Sequence, residues 1–148
     1  DRHAVHGDPR KYKLPVPQVP GSDFSFSGTK TAFNTLVQRG VATDPTFVAK
    51  ELPHLCASLQ QSIVDILLRK VYKTAKATGV EHIAMSGGVS ANSALRVQFA
   101  ALAQREGWYA HVPPLAFCTD NGAMIAMAGH FLLEAGITAD LAVVPHTR

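Results

Sequence analysis

The chain has 148 residues, with 14 Lys+Arg against 11 Asp+Glu, a formal net charge of +3. Hydrophobic residues make up 47% and charged residues 17%, which excludes a disordered or fibrous chain and leaves enough apolar material for one good core. No apolar run reaches the roughly 20 residues of a membrane helix, and the start carries no signal-peptide pattern.

Cys56 and Cys118 lie far apart without metal-type spacing. That suits a reducing compartment and a cytoplasmic setting. A charge of +3 does not by itself identify a nucleic-acid partner.

Residues 1–22 hold Pro9, Pro15, Pro17 and Pro20, with Gly7 and Gly21, and show no apolar periodicity. They read as an extended arm, and the start at Asp1 suggests a fragment whose N-terminal neighbour lies elsewhere. Residues 23–148 read as the folded unit. Asp23-Phe24-Ser25-Phe26-Ser27 alternates with period two and predicts a strand. Lys30 to Arg39 predicts a short helix stopped at Gly40.

Asp44-Pro45 reads as a helix start, with Asp as the cap. Leu52, Leu55, Cys56, Leu59, Ile63, Leu67 and Val71 form an amphipathic stripe. Pro53 predicts a break, so the main helix is expected over 53–78, ended by Gly79. His82 to Ser86 predicts a buried strand, Ser90 to Glu106 a helix, Trp108 to Val112 a strand, and Thr119 to Glu134 a helix before Gly136. Strand, helix, strand, helix is α/β grammar with parallel pairing.

Three places invite chemistry. Ser86-Gly87-Gly88-Val89-Ser90-Ala91-Asn92 sits at a strand-to-helix turn, where free amides and a positive helix end favour an anion. Asn92 could hydrogen-bond a ribose or phosphate there; a plain tight turn capped by Ser90 is the competing reading. The turn is neither a dinucleotide fingerprint nor a Walker loop.

In Phe117-Cys118-Thr119-Asp120-Asn121-Gly122, Asp120 is either a helix cap or an oxygen ligand for a metal or ligand charge. Lys30, just after Gly28, is either a phosphate contact or a solvated surface lysine. Cys118 is either a reactive thiol or a small buried residue. The seven histidines show no i,i+4 pair, so there is no zinc-protease motif.

Three strings occur together and in one order: DFSFSGTKT at 23–31, SGGVSAN at 86–92 and CTDNGAMIA at 118–126. Together they closely resemble the C-terminal part of the tRNA threonylcarbamoyladenosine transferases, the TsaD family, formerly called O-sialoglycoprotein endopeptidases. The resemblance runs from about residue 10 nearly to the C-terminus. It implies the C-terminal lobe of a two-lobed, actin-like (ASKHA, ribonuclease H-like) fold. It also implies transfer of threonylcarbamoyl from threonylcarbamoyl-AMP to N6 of adenosine 37 in tRNAs that read ANN codons.

Position by position, Asn92 matches an adenylate-contacting asparagine and Gly87-Gly88 a phosphate-side turn, with Gly28 and Lys30 as weaker matches. Asp120 matches an aspartate that completes a site for one divalent metal, iron or zinc, whose other ligands are two histidines of an H-x-x-x-H motif on the other lobe. ATP with magnesium is the alternative nucleotide. The resemblance further implies a paralogous subunit and a P-loop ATPase as partners, or a homodimer, and no membrane.

Departures are Thr29 where leucine is usual, Pro53-His54-Leu55-Cys56 at the opening of the long helix, and Met127 where tyrosine is frequent. A non-catalytic nucleotide-binding lobe and another kinase of the same fold are the alternatives. The old peptidase label finds no catalytic triad to support it.

Overall fold

The computed structural model describes residues 1–144. Four helices and two strands follow in the order α1 (Ser27–Thr43), α2 (Phe47–Thr78), β1 (His82–Ala84), α3 (Ser93–Glu106), β2 (Tyr109–His111) and α4 (Gly122–Glu134). β1 and β2 pair in parallel, His82 opposite Tyr109 and Ala84 opposite His111, with α3 as the crossover. This is the α/β unit that the sequence order predicts.

The long helix organises everything else. Leu55, Ala57, Val64, Ile66 and Ala75 of α2 are buried, as are Leu95, Phe99, Leu102 and Ala103 of α3. The rest of the predicted stripe behaves differently. Leu59, Ile63, Leu67 and Val71 are half-buried and line an open, largely apolar groove of about 540 Å³, together with Phe33, Ile83, Met85, Leu95 and Phe99. Among the described residues the sheet consists of β1 and β2 alone, and Ile83 and Ala84 of β1 line the groove.

Several local expectations need correction. Asp23 to Phe26 forms no strand; α1 begins at Ser27. A lone alternating segment with no neighbouring strand has no ladder to join, and here it leads into the helix. Gly40 does not stop α1, which runs on to Thr43. The glycine instead makes room for a ring: a Cβ there would lie 2.3 Å from Phe47.

Nor does Pro53 break α2, which starts at Phe47 and passes through it. The missing amide bond is offset by packing at the same spot, where the short turn Ala4–His6 lies on α2 and buries Ala4. The backbones meet so closely that a Cβ on Gly7 would stand 2.0 Å from the Pro53 carbonyl oxygen. Asp44 is not the cap of α2, which begins at Phe47 with Thr46 at the cap position; the Asp44 carboxylate instead accepts from the Thr46 amide (2.8 Å) and hydroxyl (2.7 Å) just ahead of the helix. Gly79 ends α2 in the left-handed conformation, φ 69°, as expected.

The proline-rich arm is strapped along α2. The Ser58 hydroxyl accepts from the Tyr12 amide (3.2 Å) and donates to the Asp8 carbonyl (3.3 Å). Tyr12 donates to Glu51 at 2.9 Å, and Lys11 pairs with the same carboxylate at 2.6 Å. Farther along, Lys70 donates to the carbonyls of Val19 and Gly21. Thr29, the departure from leucine, is buried with its hydroxyl donated to the Pro15 carbonyl at 3.0 Å. A leucine could not make that bond, so the arm supplies the reason a polar side chain is tolerated inside.

The last helix stands apart. α4 is apolar, yet Met124, Ile125, Met127, Phe131, Leu132 and Leu133 are all exposed. It has no extensive packing against any other element among the described residues. No helix of the described residues is long and apolar enough to cross a membrane.

Candidate functional site

The strand β1 delivers the chain into the glycine turn. Gly87 adopts φ 84°, ψ 172°, a conformation closed to L side chains, and both Gly87 and Gly88 are exposed. The turn is locked from below: buried Ser90 sends its amide (2.9 Å) and hydroxyl (2.6 Å) to the Gly87 carbonyl. The amides of Gly87, Gly88 and Val89 meanwhile find no partner among the described residues. Three consecutive exposed donors at a strand-to-helix junction are what an anion requires.

A short 3-10 turn, Gly88–Ala91, separates these glycines from α3, which begins at Ser93 rather than Ser90. Asn92, not Ser90, caps it: Asn92 Oδ1 accepts the Leu95 amide at 3.0 Å. Its Nδ2 donates to Gln60 Oε1 of α2 at 2.9 Å. An amide nitrogen has two hydrogens, so one donor of Asn92 remains for a ligand. The helix end already attracts a negative group. Asp1 places its carboxylate on the Ser93 amide (3.0 Å) and hydroxyl (2.7 Å).

Of the residues singled out by sequence, Lys30 joins the turn. Phe26, Thr29 and Lys30 from the start of α1 share the walls of the apolar groove with Ser86, Val89 and Ser90. Lys30 is exposed, and Gly28 lies outside the groove lining. Asp120 is exposed just before α4, and its carboxylate makes no hydrogen bond among the described residues. The cap of α4 is Asn121, whose Oδ1 accepts the Met124 amide at 3.1 Å, so the helix begins at Gly122 and not at Thr119. Asp120 is therefore not a capping residue. Cys118 is a small buried residue, its sulfur against the Pro113 and Pro114 carbonyls.

Sequence spacing could not reveal one histidine pair. His82 on β1 and His111 on β2 approach through Nδ1 and Nε2 at 3.2 Å, with ring centroids 5.5 Å apart. The two nitrogens are within hydrogen-bond distance, with the donor set by the tautomers, and Tyr109 stacks on His82 with ring centroids 4.4 Å apart. No group of three or more His, Cys, Asp or Glu side chains that could hold a metal occurs among the described residues.

A βαβ unit with unpaired amides at its glycine turn, leading into a capped helix, is an α/β arrangement whose strand-to-helix junction offers free donors. The family model described as tRNA N6-adenosine threonylcarbamoyltransferase (TsaD) matches residues 1–127. The chain belongs to that family. Relatives bearing the same name include proteins of Cytophaga hutchinsonii (42% identical over 150 residues) and Christiangramia forsetii (44% over 148), and one of Thermosipho africanus (42% over 152). Each alignment covers 100% of this chain but 44% of the relative. The chain thus spans less than half the length of these relatives and matches their C-terminal part.

Proposed function

We propose that this chain is the nucleotide-side portion of an enzyme that transfers threonylcarbamoyl from threonylcarbamoyl-AMP to N6 of adenosine 37 in ANN-reading tRNAs. The observation that carries the reading is the trio of free amides at Gly87, Gly88 and Val89, set beside the capped start of α3, in a chain of this family. These donors would hold the phosphate of the AMP leaving group. The second N–H of Asn92 would reach the adenylate, while its carbonyl oxygen keeps α3 in place. As N6 attacks the carbamoyl carbon it gives up one proton to solvent, the bond to the AMP phosphate oxygen breaks, and the amides stabilise the charge left on the phosphate.

Asp120 fits a metal ligand in one respect, since its exposed carboxylate is spent on nothing else among the described residues. It is one hard oxygen donor, and further ligands must come from outside those residues. A divalent ion, iron or zinc, would polarise an oxygen of the substrate when bound. The actin-like lobe, the paralogous subunit with its P-loop ATPase or a homodimer, and a cytoplasmic setting belong to the same proposal. Family membership supports them.

The test is reconstituted transfer. The protein as encoded is given threonylcarbamoyl-AMP and an unmodified ANN-reading tRNA, and the modified nucleoside is measured by mass spectrometry. Product formation that falls at least tenfold in Asp120→Ala and Asn92→Ala supports the assignment; no product from the wild-type protein with its partners overturns it.

A further inference from the structure

The C-terminal half of α2 carries Arg69, Lys70, Lys73 and Lys76, with no acidic residue between Ile66 and Thr78. At about 100° per residue, Arg69, Lys73 and Lys76 fall within an arc of about 60°, while Lys70 turns toward the arm. Two of the four cations are committed: Lys70 to the Val19 and Gly21 carbonyls, and Lys76 to Glu106 at 2.9 Å. Arg69 and Lys73 are exposed and form no ion pair among the described residues.

Arg69 stands on the crest between two shallow depressions. One is walled by Arg69 and Tyr72 of α2 and by Gln98 and Arg105 of α3; Lys73 lines the other with Val19 and Asp23. Tyr72 is 38% exposed, and its ring lies 6.1 Å from Trp108. The nearby acids are Asp23, Asp65 and Glu106. Glu106 is already shared between Lys76 and Arg105, and Asp65 accepts from Gln61. Favourable placement near the negative end of α2 accounts for Lys76, but that effect fades within the last turn and does not reach Arg69.

We infer that this ridge, Arg69 and Lys73 with Tyr72 and Arg105 beside them, is a docking surface for the sugar-phosphate backbone of the tRNA substrate, an inference that rests on the transferase reading above. Two uncommitted cations on one helix face, Arg69 with the exposed Tyr72 ring beside it, match how proteins hold nucleic-acid backbone without reading sequence. Such contacts position the tRNA and release its counterions.

The test compares the protein as encoded with Arg69→Glu/Lys73→Glu, by fluorescence anisotropy with unmodified tRNA over a salt series. A control double variant, Arg2→Glu/Arg39→Glu, makes the same charge change at exposed positions elsewhere. The ridge variant should bind tRNA at least tenfold more weakly, with a slope of log K against log salt shallower by about 1.5 for two lost phosphate contacts. Its KM for tRNA should rise, while threonylcarbamoyl-AMP affinity stays the same. Affinity and slope equal to wild type, or an equal loss in the control variant, overturns the inference. If the reversal variant fails to fold, Arg69→Gln/Lys73→Gln should show the same changes at smaller size, and wild-type behaviour of that variant also overturns it. The two proposals fail separately. Wild-type protein that binds tRNA through the ridge but transfers nothing removes the transferase reading alone; transfer unaffected by the ridge variant removes the ridge alone.

Discussion

Asn92 and Gln60 join the start of α3 to the middle of α2: the asparagine's Nδ2 donates to Gln60 Oε1 at 2.9 Å while its Oδ1 caps Leu95. One side chain thus caps α3 and ties it to α2. Replacement by alanine removes both bonds. Asn92→Ala should lower stability by about 1 kcal/mol, the usual worth of a helix cap. Asn92→Asp keeps the cap but loses the donor. It should hold the Tm near wild type while weakening threonylcarbamoyl-AMP binding at least tenfold. Thermal melts and calorimetry on the two variants separate these roles; equal adenylate binding by Asn92→Asp and wild type would remove Asn92 from the site.

Gly87→Ala puts a Cβ at φ 84°, ψ 172°, although nothing lies within 4 Å of it. The penalty is one of backbone conformation, of order 1–3 kcal/mol. The turn should rearrange, and adenylate binding should fall with the Tm. Gly88→Ala meets neither a clash nor a left-handed φ, so its Tm should stay near wild type.

Gly7→Ala tests the strap. The added carbon would press on the Pro53 carbonyl at 2.0 Å, backbone against backbone, so α2 and the arm must separate. A loss of about 1–3 kcal/mol, the range for overpacking, is expected in urea unfolding. Gly21→Ala, facing open space, provides the comparison for strain of φ alone, since its φ is 63°.

Acid should loosen the entry of α2. The ammonium of Lys50, then the Thr46 hydroxyl and amide, hold the Asp44 carboxyl down at about 2, against an ordinary value of 3.8. A carboxylate depressed in the folded state stabilises above its unfolded value and loses that contribution as pH falls through the folded one. The stability difference between wild type and Asp44→Asn should therefore be full above about pH 5 and vanish only by about pH 1. Glu106, lowered by Lys76 and then Arg105, adds to the same acid loss, whereas Lys76, raised by Glu106, loses its share only at alkaline pH. NMR titration of the Asp44 carboxyl and urea midpoints between about pH 1 and 6 check the window.

The α/β order, the glycine turn and the end of α2 at Gly79 were legible because each rests on a few adjacent residues. The strand at Asp23 to Ser27 was misread since alternation says nothing about whether a neighbouring strand exists. Pro53 was misread as a break because its support comes from Gly7, 46 positions earlier. Likewise Asn92 and Asn121 take the caps that Ser90 and Asp120 were offered, a choice between near neighbours that backbone geometry decides. His82 and His111 meet only because β1 and β2 are in parallel register, which no spacing along the chain encodes.

The strap described along α2 also joins elements that lie far apart in the sequence. Asp1 grips the first residue of α3, Ser58 and Glu51 hold the next stretch, and Thr29 tethers the far end to α1. One run of chain, residues 1–15, is thus hydrogen-bonded in turn to α3, α2 and α1, the helices that meet around the glycine turn and Lys30.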